Sequence, residues 1–150
     1  MPENQTQAPP PIEPPPPITP ATAAPNPPPN PESRARTWNM LCHLSALAGL
    51  VGVPFGNILG PLLVWQIKKN EYPSVETHGK AALNFQITVT LALFASAIVA
   101  LMLSFFCVGY LLFPVVLLIG LAGFVFAIVA GIKANNGEDF KYPCSIEFVK

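Results

Sequence analysis

His43, His78 and the serines at 45, 96 and 104 are the side chains whose types would suit base-assisted nucleophilic catalysis, and Cys42, Cys107 and Cys144 would suit thiolate chemistry. Their spacing supports neither. None of these serines has a partner base at helical spacing, and no G-x-S-x-G elbow or H-E-x-x-H pair occurs. The cysteines form no C-x-x-C unit and no disulfide framework. His43 follows Asn39 by one turn and His78 precedes Gly79 and Lys80, but two histidines do not by themselves make a site. No Asp or Glu lies between Thr37 and Ile67 or between Ala81 and Ile132, so neither a buried acid–base pair, nor a carboxylate metal cage, nor a proton relay is expected there. The expectation is a protein that is not an enzyme and takes no cofactor or metal.

Amides and hydroxyls offer a different chemistry. Asn57, Asn84, Gln86 and Thr88 stand in otherwise apolar surroundings, where an unpaired polar group is costly unless it faces another helix or water. Lys80, Asn84 and Thr88 recur at four-residue steps, so that edge of a helix is expected to meet a turn at Asn57. A sharper version lets Asn57, Asn84 and Gln86 line a polar pathway. Small residues also recur every four positions, at Ala92, Ser96, Ala100 and Ser104 and again at Gly123, Ala127 and Gly131. Such ridges let helices pack closely, here within one chain. Ala48, Gly52, Gly56 and Gly60 share the spacing, though Pro54 breaks their face.

The elements that must hold these residues follow from composition. Only 11% of the 150 residues are charged, eight basic against eight acidic, so no net field recruits nucleic acid. Of the 19 prolines, 14 lie in residues 1–31. Residues 1–35 therefore read as a disordered Pro-rich tail, with Pro11, Pro14, Pro17 and Pro20 at the polyproline II period: a spacer, or a docking arm for a proline-binding domain. Beyond it, 36–150 reads as a helical membrane domain. The uncharged stretch 81–132 suits two full transmembrane helices, about 83–106 and 111–132, with a turn near Gly109.

The stretch 37–67 is interrupted by Gly49, Gly52, Pro54, Gly56, Gly60 and Pro61, and its halves, 38–53 and 57–67, are about 24 and 16 Å long as helices. It reads either as one kinked, tilted span or as a proline-broken helical hairpin that dips in and returns near Pro54. Lysines at 68, 69, 80, 133, 141 and 150 put the central connection and the C-terminal tail 133–150 on the cytoplasmic side. Keeping Arg34 and Arg36 on that side favours the hairpin. Arg34 and Arg36 before an apolar run also faintly suggest a signal peptide, but thirty residues precede them and no soluble domain follows. Ile146 and Phe148 alternate with polar neighbours, as an extended segment covering the hairpin base would.

Several motifs carry a resemblance: Trp38, Leu41-Cys42-His43-Leu44-Ser45, Asn57-Ile58-Leu59-Gly60-Pro61, Trp65-Gln66-Ile67-Lys68-Lys69, His78-Gly79-Lys80, Leu83-Asn84-Phe85-Gln86 and Ile132-Lys133-Ala134-Asn135-Asn136-Gly137. Through these the chain resembles a family of small bacterial integral membrane proteins without an assigned activity, related to the chloroplast inner-envelope import component (Tic-twenty-like). Ala81 departs from the acid that the family often has there. The resemblance implies a four-segment helical membrane domain; it does not imply import activity. Together the readings give an all-α, multi-pass protein of a bacterial inner membrane. Its expected role is a scaffold, assembly or translocation-accessory component, or alternatively a small channel or transporter subunit with a pathway near the broken first segment. Its partners are the lipid bilayer and, as candidates, other membrane proteins or a second copy.

Overall fold

The computed structural model describes residues 30–150. Most of the expected disordered tail lies outside these residues. Its last part does not: α1, Pro31–Leu44, begins inside it. Asn30 caps the helix by accepting from the Glu32 backbone N–H at 2.7 Å. Proline follows at the first helical position, where its missing donor costs nothing. A 3₁₀ turn over Ser45–Gly49 ends this arm. The chain then reverses through Gly52 (φ +83°), Pro54 and Phe55 (φ +55°). For Phe55 the left-handed conformation costs roughly 1–2 kcal/mol, so the surrounding hairpin must hold it.

The return arm is α2, Gly56–Lys68. Glycine lets the two arms meet backbone to backbone: a Cβ on Gly60 would lie 2.2 Å from the Ser45 carbonyl oxygen, and one on Gly56 2.7 Å from the Ala48 carbonyl carbon. The small-residue series that Pro54 interrupts is therefore folded on itself, its halves facing each other across the hairpin. The first apolar stretch is a helical hairpin and not a single kinked helix.

Two helices are long and apolar enough to cross a membrane among the described residues. The first is α3, Ser74–Ser104, and the second extends from a 3₁₀ turn at Val108–Leu112 into α4, Phe113–Asn135. At 1.5 Å per residue α3 is about 46 Å long, well over the roughly 30 Å of hydrocarbon, so its first turns project beyond it. It starts nine residues before the expected 83, because Pro73 and the Glu76–Lys80 pair (2.6 Å) favour a helix start there. Only 6% of the most apolar stretch of α3 and 22% of that before Asn135 is buried within the protein, which leaves apolar surface for lipid. Tyr110, Phe105 and Phe106 are exposed at the turn between the two helices.

Among the described residues the architecture is thus an all-helical bundle of a short proline-broken hairpin and a hairpin of two helices long enough to span a membrane. All loops except the two apolar turns gather at one end, called here the polar end. From there residues 138–150 pass over α3 without helix or strand, turning at Pro143 and Cys144 (φ +57°).

Candidate functional site

At the polar end α1 presents Asn39, Cys42 and His43 on one face toward the first turns of α3. Ser74 Oγ donates to Asn39 Oδ1 (3.1 Å), and the Cys42 thiol reaches the Val75 carbonyl at 4.0 Å. One turn deeper, His43 Nε2 lies 3.1 Å from His78 Nδ1, with the rings edge to face. The other nitrogen of His43, Nδ1, lies 2.8 Å from the Tyr142 hydroxyl, and His78 Nε2 lies 3.4 Å from an Asp139 carboxylate oxygen. Four residues thus form one continuous chain, Tyr142–His43–His78–Asp139. His43 is fully buried, while the Asp139 side chain is 86% exposed.

Tyr142 is held by aromatic packing. Its ring stacks on Phe85 with centroids 4.0 Å apart, and Phe140 meets it edge-on at 4.9 Å. Burial holds its phenol above the ordinary range, so it stays protonated and is available as a donor. Gly79 lets α2 approach here: a Cβ would lie 2.6 Å from the Trp65 Cβ.

The amides divide into two sets. Asn57 Nδ2 donates to Gln86 Oε1 (3.3 Å) and to Thr90 Oγ1 (2.9 Å). Asn84 accepts from the backbone N–H groups of Phe148 (3.0 Å) and Val149 (2.7 Å) and donates to the Val149 carbonyl (3.0 Å). Thr88 accepts from the Ile146 N–H at 3.0 Å. The edge of Lys80, Asn84 and Thr88 therefore meets the C-terminal segment, and it is Gln86 and Thr90 that meet Asn57. Two residues along a helix turn the face by about 200°, so Asn84 and Gln86 serve opposite neighbours. The structure brings Asn57 and Gln86 together and sets Asn84 and Thr88 apart from them.

The small-residue ridges also divide. A Cβ on Gly123 would press on Val89 of α3 at 2.9 Å, but one on Gly131 would press on Leu44 of α1, also at 2.9 Å. The ridge with buried Ala127 thus crosses two helices. Ala100 is buried against Gly109, whose added Cβ would lie 2.1 Å from the Ala100 carbonyl oxygen. Ala92 is exposed, and with Ser96 it lines an apolar cleft of about 350 Å³ between α3 and α4.

Sequence reasoning passed over the histidine chain. Its members lie 35 and 99 residues apart, and Asp139 comes from outside the apolar stretches. The one sequence signal was His43 sharing a helix face with Asn39. Among the described residues no cluster of three or more His, Cys, Asp or Glu is arranged to hold a metal ion.

Fold and site together define a small helical membrane protein whose polar end is closed by its own C-terminal segment. A family model matches residues 34–149, and the chain belongs to that family, the magnetosome magnetite crystal formation protein family (MamF/MmsF). Comparison with curated proteins and with solved structures gives no match. The match accords with the expected small bacterial membrane-protein family; the relation to the chloroplast import component stays a resemblance.

Proposed function

We propose that this chain is a scaffold or assembly component of the magnetosome membrane, anchored by α3 and α4 and presenting its polar end to the proteins that build the compartment and its crystal. The observation that carries the reading is how polar groups are used. Asn57 is bonded to Gln86 and Thr90, and Asn84 and Thr88 hold the C-terminal segment. Apart from Gln86 Nε2, which is buried without a partner among the described residues, these groups are committed to internal order, whereas a channel or transporter subunit needs polar groups free to face a solvated path. The chain has no enzymatic role in this reading. Its likeness to the import component contributes only the four-segment architecture.

In this reading the polar end faces the cytoplasm, because Lys68, Lys69, Lys80, Lys133, Lys141 and Lys150 all belong to it. The native cysteines test this, since Cys107 and Cys144 are exposed near opposite ends and Cys42 is buried. A membrane-impermeant maleimide should label Cys144 in inside-out vesicles and Cys107 in spheroplasts; the reverse pattern overturns the orientation. For the role itself, mild-detergent purification should recover a defined set of membrane partners, and deletion should change crystal number or size. Solute flux through liposomes holding the pure protein, abolished by Asn57→Leu, would replace the scaffold with a channel.

A further inference from the structure

The chain Tyr142–His43–His78–Asp139 has a direction. Each neutral imidazole carries one hydrogen, and the three contacts need three donors. One assignment suits them all: the Tyr142 hydroxyl donates to His43 Nδ1, His43 Nε2–H donates to His78 Nδ1, and His78 Nε2–H faces the Asp139 carboxylate across 3.4 Å. The far end of this chain sits on residues 139–142, the same segment whose continuation is held by Asn84 and Thr88.

A proton added to either ring enters a contact that already holds a hydrogen. On His78 Nδ1 it would face the His43 Nε2–H across 3.1 Å. Relief requires both bonds of His43 to reverse, so that His78 Nδ1–H donates to His43 Nε2 and His43 Nδ1–H donates to the Tyr142 oxygen, while His78 Nε2–H still faces Asp139. The phenol hydrogen must then find a new acceptor, and near the ring are Phe85, Phe140 and the Cys42 sulfur, at best a weak acceptor. A buried donor without a partner is unfavourable, and moving the segment outward exposes it to water.

We propose that this chain is a proton-operated latch: it holds the C-terminal segment on the bundle while both histidines are neutral and releases the segment when the pair takes up a proton. The titratable neighbours act in opposite senses: the Asp139 carboxylate favours a charged His78 and opposes release, but burial of the ring outweighs it and holds His78 below the ordinary imidazole range. Cys42 on α1 contacts a backbone carbonyl, and Asp139 and Tyr142 are the groups from the C-terminal side that touch the pair. Of the other charges at this end, Glu76 pairs with Lys80 on α3, Lys133 of α4 with Glu138, Lys68 at the end of α2 with Glu71, and Lys69 just past α2 lies over the Trp65 ring, while Lys141, Glu147 and Lys150 of the C-terminal segment form no ion pair among the described residues. Proton uptake competes with latching, so the latch weakens as pH falls below about 6.5, where a released imidazole titrates. With one linked proton the latched-to-released ratio falls up to about tenfold per pH unit below that point.

The test uses the full chain in lipid nanodiscs, with Cys107→Ser and a spin label on Cys144, Cys42 being buried. Between pH 7.5 and 5.0 the label should pass from restricted to mobile. Tyr142→Phe keeps the ring stack but removes the hydroxyl, so its profile should be flattened. The double variant His43→Asn/His78→Asn should show no transition. A wild-type label equally restricted at both pH values overturns the proposal. So does a full transition in Tyr142→Phe, which remains the deciding variant if the double variant does not fold.

Discussion

Along α3 the stretch Ala82–Gln86 is buried on every side, whereas from Leu91 to Val99 most side chains are exposed. The first stretch is surrounded by α2, α4 and the C-terminal segment. The second has α4 beside it across an apolar cleft, with the hairpin tip reaching only the level of Leu93 to Ala97. The polar half is closed by hydrogen bonds and by glycines at close approach. The lipid-facing half is left open because apolar side chains there gain little by leaving lipid for one another. Order in this molecule thus tracks polar pairing and backbone contact more closely than hydrophobicity.

The strongest way to break this comparison is one added methyl group in each half. A Cβ on Gly60 would meet the Ser45 carbonyl oxygen at 2.2 Å, so Gly60→Ala must push the hairpin arms apart. Overpacking of this kind costs typically about 1–3 kcal/mol, and backbone in the way puts it at the upper end. Gly120→Ala meets only the tip of Leu93, at 3.8 Å, and gains helix propensity of up to about 1 kcal/mol. Unfolding in mixed micelles should show a large loss for the first and none for the second. Equal losses would mean that the halves are packed alike.

Next in size is the amide on α3. Asn84→Ala removes three hydrogen bonds to the C-terminal segment, each with a net value of about 1 kcal/mol. The Phe148 and Val149 amides should lose protection in hydrogen exchange while α3 itself keeps it. In the open half, Ser96 Oγ bonds only carbonyls of its own helix, those of Ala92 and Leu93, so Ser96→Ala should stay within about 0.5 kcal/mol of wild type. Asn57→Leu falls between them. It leaves Gln86 and Thr90 without the donor they share, at about 1–3 kcal/mol, and destabilises α2 against α3 without altering any flux.

How much of this was legible in the sequence depends on the range of the interaction. The hairpin was readable because Pro54 and the glycines act locally and the arginines bias the topology. The two long helices were readable from uncharged length. The start of α1 was hidden because Asn30-Pro31-Glu32 continues a proline-rich composition while being a good helix start. Pairings across helices were the least legible. Periodicity places Asn84 and Thr88 on one edge but does not say whether a turn or the C-terminal segment lies against it. The contact between His43 and His78 exists only because α1 and α3 run side by side with Asn39 beside Ser74.

The smallest expected effect tests the point at which pattern and structure part. Ala92 and Ala127 belong to ridges of the same spacing and would be equally intolerant if both ridges packed. Ala127 is fully buried, while Ala92 lines the cleft with Ser96, Val99, Leu112 and Val116. A leucine at 127 must displace neighbouring helices, at about 1–3 kcal/mol. A leucine at 92 enters the cleft or faces lipid, and should change stability by no more than about 0.5 kcal/mol. The measurement is the same micelle unfolding. A clear loss from Ala92→Leu would show that α3 and α4 close along their whole length in the bilayer, which would remove the openness that separates the two halves.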